Sequence, residues 1–298
     1  MKLYANLHTH STHSDGVYTP LQLAQAAKEE GYGAIALTDH DTVTGCAEFK
    51  DICDQLGLET IFGCEFSSPS DLLVGQTEMA ATFHIVGYHF DPEYPPMKAY
   101  LEDMSIRETD QTRVLFERGV RLGKIRGISW DEVLEFNKGI TWLCNNHLFA
   151  AMLDKGLITE DQRHQYFEEL FGVHRYEVPP CREFKQEHEI IQLIRDAGGI
   201  AILAHPVNQL QHVEALMEMG LEGIEVWHRE LMQSGQVEEA WKLALDKNLY
   251  ISGGSDHSGH CGGYYRGDPL KSPYYLPFLS SGTTKEYFDE IKNRQLNR

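Results

Sequence analysis

Short apolar runs alternate with amphipathic stretches along most of the chain. Runs such as "GAIALTDHD", "ATFHIVGYHF" and "IAILAHP" are typical of buried strands. The stretch "TPLQLAQAAKEEGY" has a helical period, with Thr19 placed to cap it, Pro20 in its first turn and Gly31 at its end. Strands separated by helices form parallel βαβ units, so the pattern predicts an α/β fold.

The number and spacing of these units predict a barrel interrupted by helices. Roughly seven strand–helix units occur without a dinucleotide-binding signature, which favours a barrel over an open sheet. After "FDPEYPP", residues 97–178 are helical in character and contain no convincing buried strand. We therefore expect barrel segments at residues 1–94 and 183–298, the second with a C-terminal extension, and a helical insertion at residues 95–182.

Potential metal ligands occupy equivalent places in this pattern, mostly at the ends of strands. They are His8 and His10 ("LHTH"), His40 ("LTDHD"), Glu65 ("GCEFS"), His84 ("TFHIV"), His205 ("LAHP") and Asp256 ("GGSDHS"). The carboxyl ends of parallel strands meet on one face of a barrel. One such histidine alone is more often a hydrogen-bonded loop residue, but the whole set predicts a metal centre. Imidazoles with carboxylates favour zinc, iron or manganese over magnesium.

Composition and charge narrow the possible partners. The formal net charge of −19 disfavours binding to long nucleic acid, although a small anionic substrate can still bind beside metal ions. The six cysteines form no C-x-x-C pair, so we expect reduced thiols in a cytoplasmic protein. The sequence contains no run of 18 apolar residues, so we expect no membrane span.

As a set, these motifs resemble the polymerase-and-histidinol-phosphatase (PHP) family, in its stand-alone phosphoesterase form. The resemblance rests on H-x-H followed by Asp, "TDHD", "CE", a further His, "AGGIAILAHP", "LEGIEVWH" and "GGSD", and it covers most of the chain. It implies a distorted TIM-like barrel of seven βα units, with two or three divalent ions at the strand carboxyl ends.

The same resemblance implies a role for each ligand. His8, His10, Glu65 and Asp256 are similar to the ligands of a first metal. Glu65 resembles a bridge to a second metal, which His84 and His205 complete. A third metal is implied by Asp15 and His40.

The implied activity is hydrolysis of small phosphate esters: sugar phosphates, nucleotide phosphates or cyclic ribose phosphates. A hydroxide bridging the metals would attack phosphorus, with Glu65, Asp256 and His205 as catalytic candidates. Two alternatives stay open: an exonuclease acting on short oligonucleotides, and a non-catalytic module that binds metal and phosphate. The sequence does not indicate the oligomeric state.

Three residues are candidates for contact with the substrate. Arg113 lies in "RETDQTRVLFERGVRLGKIR", a local excess of positive charge; i,i+4 ion pairs explain most of it, but an Arg there can hold a phosphate. His147 matches a His that follows "GRP" in many relatives, where this chain has Asn145 in place of the Arg. The third candidate is His257.

A departure from the family pattern gives a first prediction. The family usually supplies a His two residues after the final Asp, and this chain has Ser258 there. The third ion should therefore bind weakly and leave room for an oxygen of a phosphodiester as well as of a monoester. The substitution Ser258→His should tighten the third ion and shift the ratio of diester to monoester turnover. Equality with the parent in both metal stoichiometry and that ratio would contradict the idea. If His257 completes the site instead, His257→Ala should lose one metal.

Overall fold

The structure is a computed structural model. It describes residues 2–73, 82–172, 183–256 and 281–296. Within these ranges, helices and strands alternate as an α/β fold, as the hydrophobic pattern predicts. His257 and Ser258 lie outside the described residues.

The described strands form two sheets. In the smaller sheet, β1 (Ala5–Asn6) pairs in parallel with β2 (Ala34–Ile35). The larger sheet has the order β3-β4-β5-β6-β7. Its strands are β3 (Gly63–Pro69), β4 (Thr82–Tyr88), β5 (Ile200–Leu203), β6 (Gly223–Glu225) and β7 (Tyr250–Ser252).

One strand departs from the expected parallel arrangement. β4 runs antiparallel to both β3 and β5, whereas β5, β6 and β7 are parallel to one another. The reason lies in the connection from β3 to β4. A parallel return requires a crossover, usually a helix, and the described part of this connection contains only a short 3-10 turn, Asp71–Leu73.

Single backbone contacts join the two sheets. His40, beyond β2, forms an isolated parallel bridge with Glu65 of β3. On the other side, the Leu7 N–H donates to the Gly253 carbonyl, and the Asp256 N–H donates to the His8 carbonyl. Among the described residues the strands do not form one closed sheet.

Helices in the first part of the chain begin and end where local sequence signals place them. Helix α1 (Pro20–Glu29) is capped by Thr19 in a capping box with Gln22. Gly31 follows the helix with a positive φ of 85°, which glycine adopts without strain. Helix α2 (Cys46–Leu56) likewise ends at a left-handed glycine, Gly57. Together the two helices cover the small sheet with a cluster that includes Leu23 and Phe49.

Residues 95–172 contain helices and, among the described residues, no strand. These helices are α3 (Pro95–Arg121), α4 (Trp130–Phe136), α5 (Asn145–Asp154), a 3-10 turn (Glu160–Gln162), α6 (Arg163–Tyr166) and a π-helical turn (Phe167–Gly172). The segment has its own apolar cluster, built around Phe116, Leu148 and Phe149.

The second part of the chain returns to alternating elements. Its helices are α7 (Glu187–Asp196), a 3-10 turn (Leu210–His212), α8 (Val213–Glu218), α9 (Arg229–Ser234), α10 (Val237–Asp246) and α11 (Lys285–Asn293). In the C-terminal helix α11, Phe288 and Ile291 are fully buried against Val86 and Ile202. The C-terminal extension therefore completes one end of the core. Among the described residues, no helix is both long and apolar enough to cross a membrane.

Candidate metal centre

The carboxylate of Glu65 lies at the centre of the predicted ligands. Its side chain is fully buried on β3. One oxygen, Oε2, lies 3.2 Å from His8 Nε2, 3.1 Å from His10 Nε2 and 3.2 Å from His40 Nδ1. Alternation along the chain beyond β1 places His8 and His10 on the same side, and the backbone bridge to Glu65 brings His40 alongside.

The second oxygen of Glu65 faces a different pair of histidines. Oε1 lies 3.0 Å from His84 Nδ1 and 3.1 Å from His205 Nε2. The two imidazole rings are 4.9 Å apart between centroids. The carboxylate thus presents each of its oxygens to a separate set of imidazoles, an arrangement suited to bridging two ions.

Asp256 completes the first set of ligands. Its Oδ1 lies 3.3 Å from His8 Nε2 and 3.2 Å from His10 Nε2. Ligands around a tetrahedral ion at 2.0–2.1 Å are separated by roughly 3.3 Å, so atoms at this spacing can share one ion. The ligand atoms of His8, His10, Glu65 and Asp256 all lie within 4.8 Å of one another.

Two further groups of side chains could hold a metal ion. One consists of His10, Asp15 and His40, and the other of His40, Glu65 and His84. Asp15 Oδ1 is 3.6 Å from His10 Nδ1, and Asp15 Oδ2 is 4.0 Å from His40 Nε2. The structure therefore brings all eight predicted ligands to one place, and their individual coordination roles stay predictions.

The electrostatics of the cluster favour a cation. Burial would raise the pKa of Glu65, but the facing His8 and His40 hold it well below its usual value. Burial would likewise lower the pKa of His10, yet the facing carboxylates of Asp256 and Glu65 raise it to about 10. The carboxylates of Glu65 and Asp256 are ionised at neutral pH, so a positive charge between them stabilises the cluster.

His40 and His205 respond to the cluster in opposite ways. Burial lowers the pKa of His40 to about 4, because the nearby carboxylates only partly compensate for it. For His205, the charges of Asp256 and Glu65 outweigh burial and raise the pKa to about 9. A metal ion competes with a proton for His205 but meets His40 as a neutral ring. Metal affinity should therefore rise with pH through the pKa values of His205 and His10, about 9 and about 10.

Glu225, which the sequence analysis did not single out, holds two of the histidines in place. Its side chain is fully buried at the end of β6. Oε1 lies 3.0 Å from His8 Nδ1, and Oε2 accepts a 2.7 Å hydrogen bond from the His205 backbone N–H. A carboxylate on the far nitrogen orients an imidazole for metal binding. Its place at a strand end was the signal that could have identified it.

Asp39, also missed, fixes the loop that carries Asp15. It accepts hydrogen bonds of 2.7 Å from both the backbone N–H and the hydroxyl of Ser11, and of 2.6 Å from the Ser14 hydroxyl. The carboxylate is buried behind the cluster. This acid thus orders the loop rather than facing the ligands.

The helical segment holds the same loop from the other side. The Asn146 side-chain amide donates a 2.7 Å hydrogen bond to the Asp15 carbonyl. His147 Nε2 donates to the Thr12 carbonyl at 2.9 Å, and its Nδ1 accepts from the Cys144 N–H at 2.9 Å. The N-terminal turn of α5 is therefore a clamp on residues 12–15.

The remaining candidates lie further from the ligands or pack around them. Arg113 is exposed and pairs with Glu117 at 3.2 Å on α3, so its contact with a substrate stays a prediction. His13 Nδ1 lies 2.9 Å from the Thr44 hydroxyl, a local hydrogen bond outside the cluster. Trp142, which the sequence analysis did not identify, stacks on His40 with the ring centroids 6.1 Å apart. His257 lies outside the described residues.

Comparison with known proteins agrees with this geometry. The family model of the PHP domain matches residues 6–172. The chain is similar to a solved structure from Bifidobacterium adolescentis that is assigned to the metal-dependent phosphoesterases. The TM-score is 0.75 at 25% identity, over 99% of this chain and 97% of that one.

Three curated proteins are similar over most of the chain. Phosphoribosyl 1,2-cyclic phosphate 1,2-diphosphodiesterase of Eggerthella lenta is 27% identical, over 86% of this chain and 95% of that protein. A 5'-3' exoribonuclease of Haemophilus influenzae is 28% identical, over 86% and 90%. A 3',5'-nucleoside bisphosphate phosphatase of Chromobacterium violaceum is 29% identical, over 84% and 86%.

The convergence of ligands generates a prediction about metal content. Replacing His10 by Ala removes a nitrogen that lies near both Glu65 and Asp256, so the purified protein should retain less manganese or zinc per chain, measured by elemental analysis. His13→Ala is the matched control, because His13 lies nearby but contacts Thr44 instead. Unchanged metal content in the His10→Ala protein would contradict the assignment.

The clamp from α5 generates a second prediction. Asn146→Ala removes the hydrogen bond to the Asp15 carbonyl, so the ion near Asp15 should bind about 10-fold more weakly, as when other groups that orient metal ligands are removed. A manganese titration measures this loss. An ion near His8 and Asp256 is the internal control and should keep its affinity. Equal weakening of all ions would show a general loss of structure instead.

Proposed function

The chain belongs to the PHP domain family, and on that premise we propose that it hydrolyses small phosphate esters at the Glu65 cluster. It is a metal-dependent phosphoesterase: two relatives are named a phosphodiesterase and a phosphatase, and the similar solved structure is described as a metal-dependent phosphoesterase. The main support for this proposal is that the two oxygens of the Glu65 carboxylate face separate sets of imidazoles.

The residues present fit divalent ions. Glu65 Oε2 and His40 Nδ1 are buried, and neither makes a hydrogen bond among the described residues, although they lie only 3.2 Å apart. Buried acceptor atoms that lack a hydrogen bond are stabilised by a nearby cation. We assign His8, His10, Glu65 and Asp256 to one ion, and Glu65, His84 and His205 to a second.

Asp15 and His40 are the proposed protein ligands of a third ion. The mixed donor set of imidazoles and carboxylates suits manganese, zinc or iron. When bound, such ions lower the pKa of a water between them and neutralise charge on phosphate oxygens.

The chain's own groups prepare the site for this chemistry. Glu65 would offer one oxygen to each of two ions. Asp256 directs Oδ1 to the first set of ligands, and its Oδ2 lies 3.9 Å from His205 Nε2. We therefore propose Glu65, Asp256 and His205 as the residues around the reacting phosphate.

We also propose that the strands form the distorted seven-stranded barrel of this family. Backbone contacts of β1 with residues 253–256, and of His40 with Glu65, support a continuous ring of strands. The proposed barrel segments are residues 1–94 and 183–298, and residues 95–182 form an insertion. The four described cysteines are free and buried, which supports a cytoplasmic protein with reduced thiols.

The insertion is proposed to select the substrate. Arg113, on α3, supplies a positive charge in a chain whose formal net charge is −19. A direct contact from His147 would require one of its two backbone hydrogen bonds to break. His147 therefore acts first through the loop that carries Asp15, and Arg113 and His257 remain the candidates for a distant phosphate.

The names of the relatives supply the candidate substrate classes. The named substrates of two of them are a cyclic ribose phosphate and a nucleoside bisphosphate, both small, and the acidic surface favours small substrates over long strands. A third relative is named an exoribonuclease, so cleavage of short oligoribonucleotides is the second candidate function.

The test is a comparison of substrates under one condition. Protein loaded with manganese is incubated with a cyclic ribose phosphate, a nucleoside 3',5'-bisphosphate, a short oligoribonucleotide and p-nitrophenyl phosphate, and metal content is measured on the same sample. We expect turnover of a small ester that is lost with a chelator and in the His10→Ala protein. Cleavage of the oligoribonucleotide alone would favour the second function, and turnover of none of the four by metal-loaded protein would contradict the proposal.

A further inference from the structure

His228 is a buried histidine beside the metal cluster with one ring nitrogen unaccounted for. It follows β6 and caps helix α9 (Arg229–Ser234). The residue has no exposed surface. Its Nδ1 accepts a hydrogen bond from the Glu230 backbone N–H at 3.2 Å, whereas Nε2 has no hydrogen-bond partner among the described residues.

The hydrogen bond to Nδ1 determines what Nε2 can do. A ring nitrogen that accepts a hydrogen bond carries no proton, so in the neutral imidazole the proton is on Nε2. A protonated nitrogen has no lone pair for a metal ion. His228 is therefore placed as a hydrogen-bond donor rather than as another metal ligand, and a buried N–H without an acceptor is unfavourable.

The carboxylate of Asp256 faces Nε2. Nε2 lies 3.7 Å from Asp256 Oδ2. Both oxygens of Glu225, the other nearby acid, are already occupied by His8 and His205. A shortening of roughly 0.7 Å would bring the Asp256 contact to the usual N–H···O length of about 3.0 Å.

The two oxygens of Asp256 are thus divided between different neighbours. Oδ1 faces His8 and His10, and Oδ2 faces His228 at 3.7 Å. His205 Nε2 lies 3.9 Å from Oδ2 but is closer to Glu65 Oε1, at 3.1 Å. Rotation of the carboxylate about its last bond would exchange the two oxygens and disturb the first set of ligands. A donor on Oδ2 prevents this rotation, as donors on the far atoms of metal ligands do elsewhere.

We propose that His228 is a positioning residue for Asp256, which it holds through Oδ2 so that Oδ1 faces the first metal. This inference rests on the proposed role of Asp256 as a metal ligand. His228 does not touch the substrate in this arrangement, and its effect reaches the reaction only through Asp256.

Two substitutions separate this role from the capping of α9. In His228→Asn, the side-chain oxygen replaces Nδ1 and still accepts from Glu230, but the side chain is too short to reach Asp256. In His228→Gln, the amide N–H replaces Nε2 and keeps the donor, whereas the cap is lost. The probe is manganese alone, titrated into metal-free protein and followed by electron paramagnetic resonance, with thermal melting of the same samples.

The proposal expects opposite outcomes from the two variants. His228→Asn should keep the melting temperature of the metal-free protein and bind manganese about 10- to 100-fold more weakly at the tightest site. His228→Gln should retain manganese affinity close to that of the parent, with a lower melting temperature. The inference is overturned if His228→Asn binds manganese like the parent, or if His228→Gln loses as much affinity as His228→Asn.

The parent protein measured alongside distinguishes this inference from the proposed function. A parent that binds manganese but hydrolyses no phosphate ester would refute the function and leave the comparison of the two variants readable. If the parent binds manganese and is active, and His228→Asn matches it in affinity, only the role of His228 is refuted.

Discussion

A charged carboxylate without exposed surface is unfavourable unless opposite charge surrounds it, and Glu65 meets this condition only through the fold. Its two oxygens are approached at 3.0 to 3.2 Å by imidazoles that four other strands carry. The strand ends must therefore converge within a few ångströms. This requirement explains why His205 and Asp256 adopt positive φ values of 27° and 53°, a conformation that non-glycine residues rarely occupy.

The same constraint explains what could be predicted from the sequence. Side chains at the ends of successive strands are expected to lie close together. Applying this rule requires only the hydrophobic pattern and the residue types, and it predicts the residues around Glu65. Glu225, within "LEGIEVW", is the last residue of β6 in the structure, so the same rule extends to it. The roles of Asn146 and Asp39 could not be predicted in this way, because each forms a hydrogen bond with a backbone group whose position depends on the folded chain.

The strand directions show a similar limit. The alternation of strands and helices predicts parallel pairs, and β5, β6 and β7 confirm it. β4 is antiparallel to both of its neighbours, β3 and β5. That reversal has a consequence for the site. His84 lies within β4 rather than beyond its end, at a position opposite Ser67 in the register, and from there it reaches Glu65 Oε1.

The side chains of the cluster differ in how far they are buried, and the more exposed ones are better placed to contact different substrates. His8 and Glu65 have no exposed surface, whereas the Asp15 side chain is 46% exposed. Asp15 is also the ligand whose loop is held by the helical segment rather than by the strands alone. Since the strands fix the buried ligands, sequence changes in the helices can move Asp15 without disturbing Glu65. A fold of this kind can keep one hydrolytic chemistry in its core while the shape and affinity of the exposed position change with the substrate.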